Sequence, residues 1–139
     1  MKRLVLDTNV VIAALIWNGT PRRVLSAGHE EKAILMTSAQ LLTELRVDLS
    51  RSKSDHRIYE ARQTVDGLIA AYTWQTISVL PFPIPRIVSD PDDNVVIGTA
   101  LAANANLVVT GDKALLSIVE YEGIRIVPPV EALSLLDAG

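Results

Sequence analysis

The feature that most constrains this chain is a junction, present at two places, where a short apolar run ends in an aspartate and a predicted helix follows. Leu4-Val5-Leu6 ends in Asp7, and Val108-Val109-Thr110-Gly111 ends in Asp112. Apolar runs without helical period predict buried strands. Acidic residues at strand-to-helix junctions therefore indicate an α/β fold with a crevice at one edge of its sheet.

A third acidic stretch, Ser89 to Asn94, precedes an apolar and alanine-rich region. Asp90 fits the N-cap of a helix, Pro91 its first position and Asp93 its third position, beside unpaired backbone donors. Acidic residues favour the positive end of a helix dipole by about 0.3–1 kcal/mol each, so this stretch alone predicts only a helix start. Together with the two junctions, it favours a functional site.

Strand and helix patterns alternate along the rest of the chain. Strands are predicted at 3–6, 33–36, 76–80, 107–110 and 124–127, and helices at 10–17, 20–28, 37–49, 56–72, from 90, at 113–121 and at 130–136. This alternation predicts a parallel sheet of about five strands that is covered on both faces. A length of 139 residues fits one domain spanning residues 1–139.

Local signals refine these elements. The first helix is expected to have Thr8 or Asn9 as its N-cap, and the second to have Thr20. Thr37 fits the start of a capping box for the third helix. Tyr72 and Trp74 are expected to fill the core.

The chain contains no cysteine, which excludes a disulfide framework and a thiolate metal site. The N-terminus resembles a secretory signal only superficially, because Asp7 and Asn9 interrupt the apolar run and no small-residue cleavage site follows. No run approaches the roughly 18–20 apolar residues that span a bilayer. We therefore expect a cytoplasmic protein with no membrane partner.

Charge is distributed unevenly. Residues 1–86 carry 11 Lys and Arg against 8 Asp and Glu, whereas residues 87–139 carry 2 against 8. Five basic residues crowd one helical region: Arg46, Arg51, Lys53, Arg57 and Arg62. This region is either a solvated helix face or a phosphate-binding rim beside an acidic centre.

A parallel sheet would bring Asp7, Asp93 and Asp112 to a common edge, where a carboxylate from the third helix could join them. The helical period does not choose between Glu44 and Asp48 for that role. At ~5 Å and an effective dielectric near ~20, each pair of charges repels by roughly 3 kcal/mol, so a cation is needed. All-oxygen ligation suits Mg²⁺ or Mn²⁺, which would lower the pKa of bound water and neutralise phosphate charge. His29 and His56 lie far from these motifs in sequence and are expected at the surface.

Four motifs in order resemble the PIN-domain ribonucleases, and the resemblance covers nearly the whole chain. They are Leu6-Asp7-Thr8-Asn9, Thr43-Glu44-Leu45, Asp90-Pro91-Asp92-Asp93 and Val109-Thr110-Gly111-Asp112. The similarity is greatest to bacterial PIN proteins described as toxins of toxin–antitoxin pairs. It implies a Rossmann-like three-layer sandwich, Mg²⁺- or Mn²⁺-dependent endoribonuclease activity on RNA, a homodimer and a small antitoxin partner.

The resemblance also implies which residues act. The acidic set falls on Asp7, Glu44, Asp93 and Asp112, as catalytic residues and metal ligands, and favours Glu44 over Asp48. Asn9, Thr110 and Asp90 match polar residues of the same pocket. Gly98 departs from the family pattern, and because glycine weakens a helix by about 1 kcal/mol relative to alanine, we expect a bend or close packing there.

Two other functions compete with RNA cleavage. A Mg²⁺-dependent phosphatase with Asp7 as nucleophile would require a second aspartate two residues on, where this chain has Asn9. A catalytically inactive RNA-binding or regulatory module would keep the fold, but it would gain nothing from clustered carboxylates that repel each other.

Overall fold

A computed structural model describes residues 1–51 and 63–137, and within these ranges six strands form one sheet in the order β3-β2-β1-β4-β6-β5. The strands are β1 (Lys2–Leu6), β2 (Ala33–Thr37), β3 (Thr76–Ser78), β4 (Leu107–Val109), β5 (Glu120–Tyr121) and β6 (Ile124–Val127). All pairs are parallel except β5 with β6. The predicted parallel sheet is confirmed, with a short antiparallel strand added at one edge.

Seven helices lie in the described ranges. They are α1 (Thr8–Ile16), α2 (Thr20–His29), α3 (Ala39–Ser50), α4 (Val65–Trp74), α5 (Pro91–Ala102), α6 (Lys113–Leu116) and α7 (Pro129–Asp137). The loop and helix start expected between residues 52 and 62, with His56, lie outside the described residues. His29 is exposed, as predicted.

The helix predicted at 113–121 is wrong beyond Leu116. Val119 has a φ of 68°, which a β-branched residue in a right-handed helix cannot adopt. Its carbonyl accepts a hydrogen bond from the Ile126 N–H at 3.0 Å. The chain therefore turns back at this point, and Glu120–Tyr121 pairs with β6 instead of continuing the helix.

Three helix caps differ from the sequence prediction by one residue. The N-cap of α1 is Asp7, that of α2 is Gly19 and that of α3 is Ser38. In α1 and α3, one residue separates the helix from the preceding strand, and that residue is the cap, so the cap lies at the end of the parallel ladder. Asp90 caps α5 as predicted and accepts a hydrogen bond from the Asp92 N–H at 2.9 Å.

The side chains of the sheet alternate between two apolar clusters. Leu4 and Leu6 pack with α1, α2, α3, α4 and α7 on one face, whereas Val5 packs with α5 and α6 on the other. This alternation follows from the two-residue period of a strand and produces three layers. Tyr72 is buried in the first cluster, but Trp74 is 90% exposed, so its predicted core role is wrong. It is the last residue of α4, beside the edge strand β3, where no further strand of the described residues covers it.

The sheet reverses its winding direction between β1 and β4. β2 and β3 lie to one side of β1, whereas β4 and β6 lie to the other. The ladder continues one residue past both strands, because the Asp7 N–H donates to the Val109 carbonyl at 2.9 Å and the Thr110 N–H donates to the Val127 carbonyl at 3.0 Å. This switch point at the carboxyl edge of the strands is where ligand crevices form in open α/β sheets.

The close packing expected at Gly98 is present. A Cβ atom on Gly98 would lie 2.4 Å from the Phe82 carbonyl oxygen, and the Phe82 N–H donates to the Gly98 carbonyl at 3.0 Å. Glycine therefore lets the extended segment at residues 79–85 lie directly against α5. Among the helices of the described residues, none is long and apolar enough to cross a membrane.

Candidate active site

Asp7 is the most firmly held carboxylate at the switch point. Its side chain is only 5% exposed. Oδ1 accepts a hydrogen bond from the Thr8 N–H at 2.8 Å, and Oδ2 accepts one from the Thr110 hydroxyl at 2.7 Å. Burial raises the pKa of Asp7, and the charges of Asp112 and Asp90 add to that effect, while the two hydrogen bonds oppose it. Burial therefore disfavours the charged form of Asp7, while two hydrogen-bond donors hold its carboxylate in position.

Asp93 and Asp112 form a second acidic pair. Asp93 is buried at the third position of α5, and Asp112 caps α6 by accepting a hydrogen bond from the Ala114 N–H at 2.7 Å. Burial raises the pKa of Asp93, and so do the charges of Asp112, Asp7 and Asp90 and a hydrogen bond to Asp112 that favours the protonated form. Without a counter-charge, Asp93 therefore keeps its proton to a higher pH than an isolated aspartate does.

Glu44 comes from α3, on a different element from the aspartates. It is half-buried, and burial, followed by the charge of Asp92, raises its pKa to about 7. The Thr8 hydroxyl opposes this rise, whereas Asp7 and Asp48 contribute to it. Glu44 therefore lies within electrostatic reach of Asp7. Its preference over Asp48 as the acting carboxylate stays a prediction.

The three other predicted pocket residues differ from one another in burial: Thr110 is buried, whereas Asp90 and Asn9 are exposed. Thr110 is fully buried and bridges two acidic residues, since its hydroxyl donates to Asp7 and accepts from the Asp112 N–H at 3.0 Å. Asp90 is exposed and serves as the α5 cap, although its charge still raises the pKa of Asp7 and Asp93. Asn9 is exposed on the first turn of α1.

The predicted phosphate-binding rim is described only in part. Arg46 forms an ion pair with Asp66 of α4, so its charge is shared within the protein. Arg51 is exposed at the end of α3. Lys53, Arg57 and Arg62 lie outside the described residues.

The carboxylates do not form an assembled coordination shell. In residues 1–51 and 63–137, no group of three or more histidine, cysteine, aspartate or glutamate side chains stands close enough to hold a metal ion. The donor chemistry nevertheless fits a divalent cation, because neighbouring negative charges raise the pKa of Asp7 and Asp93 and carboxylate oxygens are the ligands that such a cation prefers. Asp7, Asp93 and Asp112 are the residues that would hold it.

Sequence reasoning did not predict that two residues, Thr8 and Asp92, act on Glu44. The Thr8 hydroxyl is buried and, within the described part of the chain, has no hydrogen-bond partner of standard geometry, although it is close enough to influence Glu44. Asp92 is the charge that most strongly raises the Glu44 pKa. Asp92 belongs to the acidic stretch of the sequence, but its proximity to Glu44 depends on how α3 and α5 pack together.

Comparison with known proteins agrees with the fold. A family model described as PIN domain matches residues 3–114, and PIN domains are typically metal-dependent nucleases. The chain is also similar to uncharacterized protein MJ1680 of Methanocaldococcus jannaschii, with 31% identity over 117 residues, 84% of this chain and 74% of that protein. The range that the family model matches, residues 3–114, contains all four acidic motifs. The chain belongs to the PIN domain family.

Proposed function

We propose that this protein is a Mg²⁺- or Mn²⁺-dependent endoribonuclease that hydrolyses RNA phosphodiester bonds, and that residues 1–139 act as one domain. The observation that carries the proposal is the link from Asp7 through Thr110 to the Asp112 backbone, at the switch point of a PIN domain. Asp93 and Glu44 lie on two other helices, and the charge of Asp7 raises the pKa of both. Acidic side chains from four separate segments of the chain thus influence one another's charge at the switch point.

Each residue has a distinct part in this proposal. Asp7, Asp93 and Asp112 would hold the cation, which when bound would lower the pKa of water and neutralise charge on the phosphate. Thr110 fixes the orientation of Asp7 by donating to Oδ2. Glu44 reaches the site from the flank of α3 and accepts the proton of the attacking water. No covalent intermediate is required.

The direct test is incubation of structured and unstructured RNAs with the protein in Mn²⁺ and in EDTA. We expect cleavage in Mn²⁺ only, and loss of cleavage in Asp7→Asn. Asp137→Asn is a matched control, because it removes one charge from the far end of α7. Cleavage that persists in EDTA, or in Asp7→Asn, would contradict the metal-dependent mechanism.

A catalytically inactive RNA-binding module remains the second candidate. The observation that favours it is the lack, among the described residues, of an assembled group of three metal-ligating side chains. Such a module would bind single-stranded RNA with equal affinity in Mn²⁺ and EDTA and would cleave none. The same incubation therefore separates the two functions.

Arg51, Lys53, Arg57 and Arg62 are proposed as phosphate contacts, and Arg46 as a weaker one because Asp66 pairs with it. Each phosphate contact that is lost should reduce the salt slope of single-stranded RNA binding by roughly 0.7. We expect Arg51→Ala to lower the slope and Asp66→Asn to raise RNA affinity by releasing Arg46. Unchanged binding in both variants would leave these residues as a solvated face.

We further propose that the protein is the cytoplasmic toxin of a toxin–antitoxin pair, that it forms a homodimer and that a small antitoxin inhibits it. The support is the order and spacing of the four motifs, which resemble those of bacterial PIN toxins. Induced expression should arrest growth, and Asp7→Asn should not. Growth arrest by both variants would point to a burden of expression instead of RNA cleavage.

A further inference from the structure

A cavity of about 290 Å³ opens beside the candidate active site, between α3, α5 and the proline-rich segment at residues 81–84. Its size is near the lower end of small-molecule pockets, about 300 Å³. Gln40 and Val95 line it from the two helices that carry Glu44 and Asp93. Gln40 precedes Glu44 by four residues, which places it about 6 Å away along the same side of α3. The cavity and the acidic residues are therefore neighbours.

Phe82 provides an aromatic wall on a restrained backbone. It is the only phenylalanine in the chain, and it is 57% exposed. Pro81 and Pro83 restrict the backbone on either side of it. The hydrogen bond to the Gly98 carbonyl, and the missing Cβ at that position, hold the Phe82 backbone directly against α5. The ring is thus presented to solvent from a position with little conformational freedom.

The remaining lining is uncharged and includes one exposed amide. Gln40 is exposed and can both donate and accept hydrogen bonds. The Asn94 side chain holds the backbone at residues 87 and 88, since it accepts a hydrogen bond from the Ile87 N–H at 2.9 Å and donates one to the Val88 carbonyl at 3.0 Å. None of the described residues that line the cavity is charged. The surface fits a flat, neutral group with polar edges better than a phosphate.

We propose that this cavity is a nucleobase subsite, in which one unpaired base of the RNA stacks on Phe82 and hydrogen-bonds to Gln40. The inference rests on the proposed ribonuclease function and adds a selection for single-stranded segments. A base inside a duplex cannot present its face to a protein ring, so the substrate must be unpaired at this nucleotide. The subsite thereby sets which phosphate lies beside the acidic residues.

The test measures binding of a short fluorescent single-stranded RNA by anisotropy in EDTA, using the full chain. Loss of an aromatic stacking partner typically weakens binding by roughly 5- to 100-fold, and we expect this for Phe82→Ala. Phe82→Trp should retain or improve the affinity. Leu80→Ala is the matched control, because Leu80 is an exposed apolar residue of the extended segment at residues 79–85 and does not line the cavity.

A series of RNAs with one abasic nucleotide distinguishes stacking from a general surface effect. One abasic position should weaken binding to the unmodified protein but not to Phe82→Ala, because the ring and the base report on the same contact. If Phe82→Ala binds every RNA as the unmodified protein does, the subsite is refuted. Unchanged RNA binding together with altered self-association would identify Phe82 as part of a protein contact. Cleavage by the unmodified protein in Mn²⁺ tests the ribonuclease function separately. Cleavage without the Phe82 effect would overturn the subsite alone. If the unmodified protein neither binds nor cleaves RNA, the subsite and the ribonuclease function are both overturned.

Discussion

The Thr110 hydroxyl donates a 2.7 Å hydrogen bond to Asp7 Oδ2 across 103 residues of sequence. Both residues follow parallel strands that are direct neighbours, β4 and β1. The same hydroxyl accepts from the Asp112 N–H, so one buried oxygen links two of the three proposed metal ligands. This contact ties the stability of the sheet edge to the geometry of the site.

Replacing that hydroxyl should therefore affect both stability and metal binding. Thr110→Val keeps the shape but removes the donor to Asp7 Oδ2, which typically costs about 1–3 kcal/mol of unfolding free energy. Loss of a group that orients a ligand should also weaken Mn²⁺ affinity about 10- to 100-fold. Denaturant unfolding and Mn²⁺ titration measure the two effects. Thr110→Ser retains the hydroxyl and should bind Mn²⁺ almost normally; equal affinity for both variants would show that the contact does not orient Asp7.

Divalent cations should stabilise the folded protein by mass action. At roughly a hundred times the dissociation constant, the gain in unfolding free energy is about 2.7 kcal/mol. The double variant Asp7→Asn with Asp93→Asn should show no gain. Thermal unfolding in millimolar Mn²⁺ provides the measurement, and an unchanged melting temperature for the unmodified protein would argue against a metal site at this edge.

The metal-free protein should become more stable as the pH falls from 8 to 5. The pKa of Asp7, Glu44 and Asp93 is raised in the folded state, that of Glu44 to about 7. A raised carboxyl pKa means that the folded state binds more protons than the unfolded state between the two pKa values, so stability is lost as the pH rises through that window. Thermal unfolding in EDTA should show this trend.

The same titration in Mn²⁺ should reverse the trend. Cations compete with protons for the carboxylates, so the stabilisation by Mn²⁺ should be large at pH 8 and small at pH 5. Asp93→Asn should flatten both profiles. A metal-free profile that instead rises steadily with pH would show that the carboxylates are better solvated than their burial indicates.

Gly98→Ala should destabilise the protein although alanine is the better helix former. The added Cβ would lie 2.4 Å from a backbone oxygen of Phe82, and that backbone is restrained by prolines. Overpacking of this kind typically costs about 1–3 kcal/mol, against a gain of about 1 kcal/mol in helix propensity. Gly111→Ala is the control, because nothing lies within 4 Å of its added Cβ. A Gly98→Ala variant more stable than the unmodified protein would show that the segment can move away from α5.

Local sequence signals predicted most of the strands and helices, because each depends on neighbours in the chain. The aspartate that follows β1 and the Asp90-Pro91 start of α5 are examples, since capping and ladder ends are set within a few residues. The family resemblance supplied what local signals left open, the preference for Glu44 over Asp48.

Tertiary packing decided what the sequence could not. Trp74 has a large apolar side chain of the kind found in cores, but it is the last residue of α4 and lies beside an edge strand. Val119 follows a helical pattern, but pairing with β6 requires a reversal at that residue. The effect of Asp92 on Glu44 likewise depends on the approach of two helices that are distant in sequence.

The last prediction separates the roles of the acidic residues. Asp7 is held by two hydrogen-bond donors at the end of a strand, whereas Glu44 reaches the site from a helix and is only half-buried. Glu44→Gln should lose most RNA cleavage while keeping more Mn²⁺ affinity than Asp7→Asn, because an amide oxygen can hold a water but cannot take its proton. Asp48→Asn should be close to neutral in both measurements.

These three changes are nearly isosteric, and each removes one negative charge, so differences among them report the position of the residue. Single-turnover RNA cleavage and calorimetric Mn²⁺ titration give the two quantities for each variant. If Asp48→Asn inactivates the protein and Glu44→Gln does not, Asp48 is the acting carboxylate of α3. In that case the rise of the Glu44 pKa reflects its burial and the neighbouring negative charges, of which Asp92 is the strongest, and not a catalytic role.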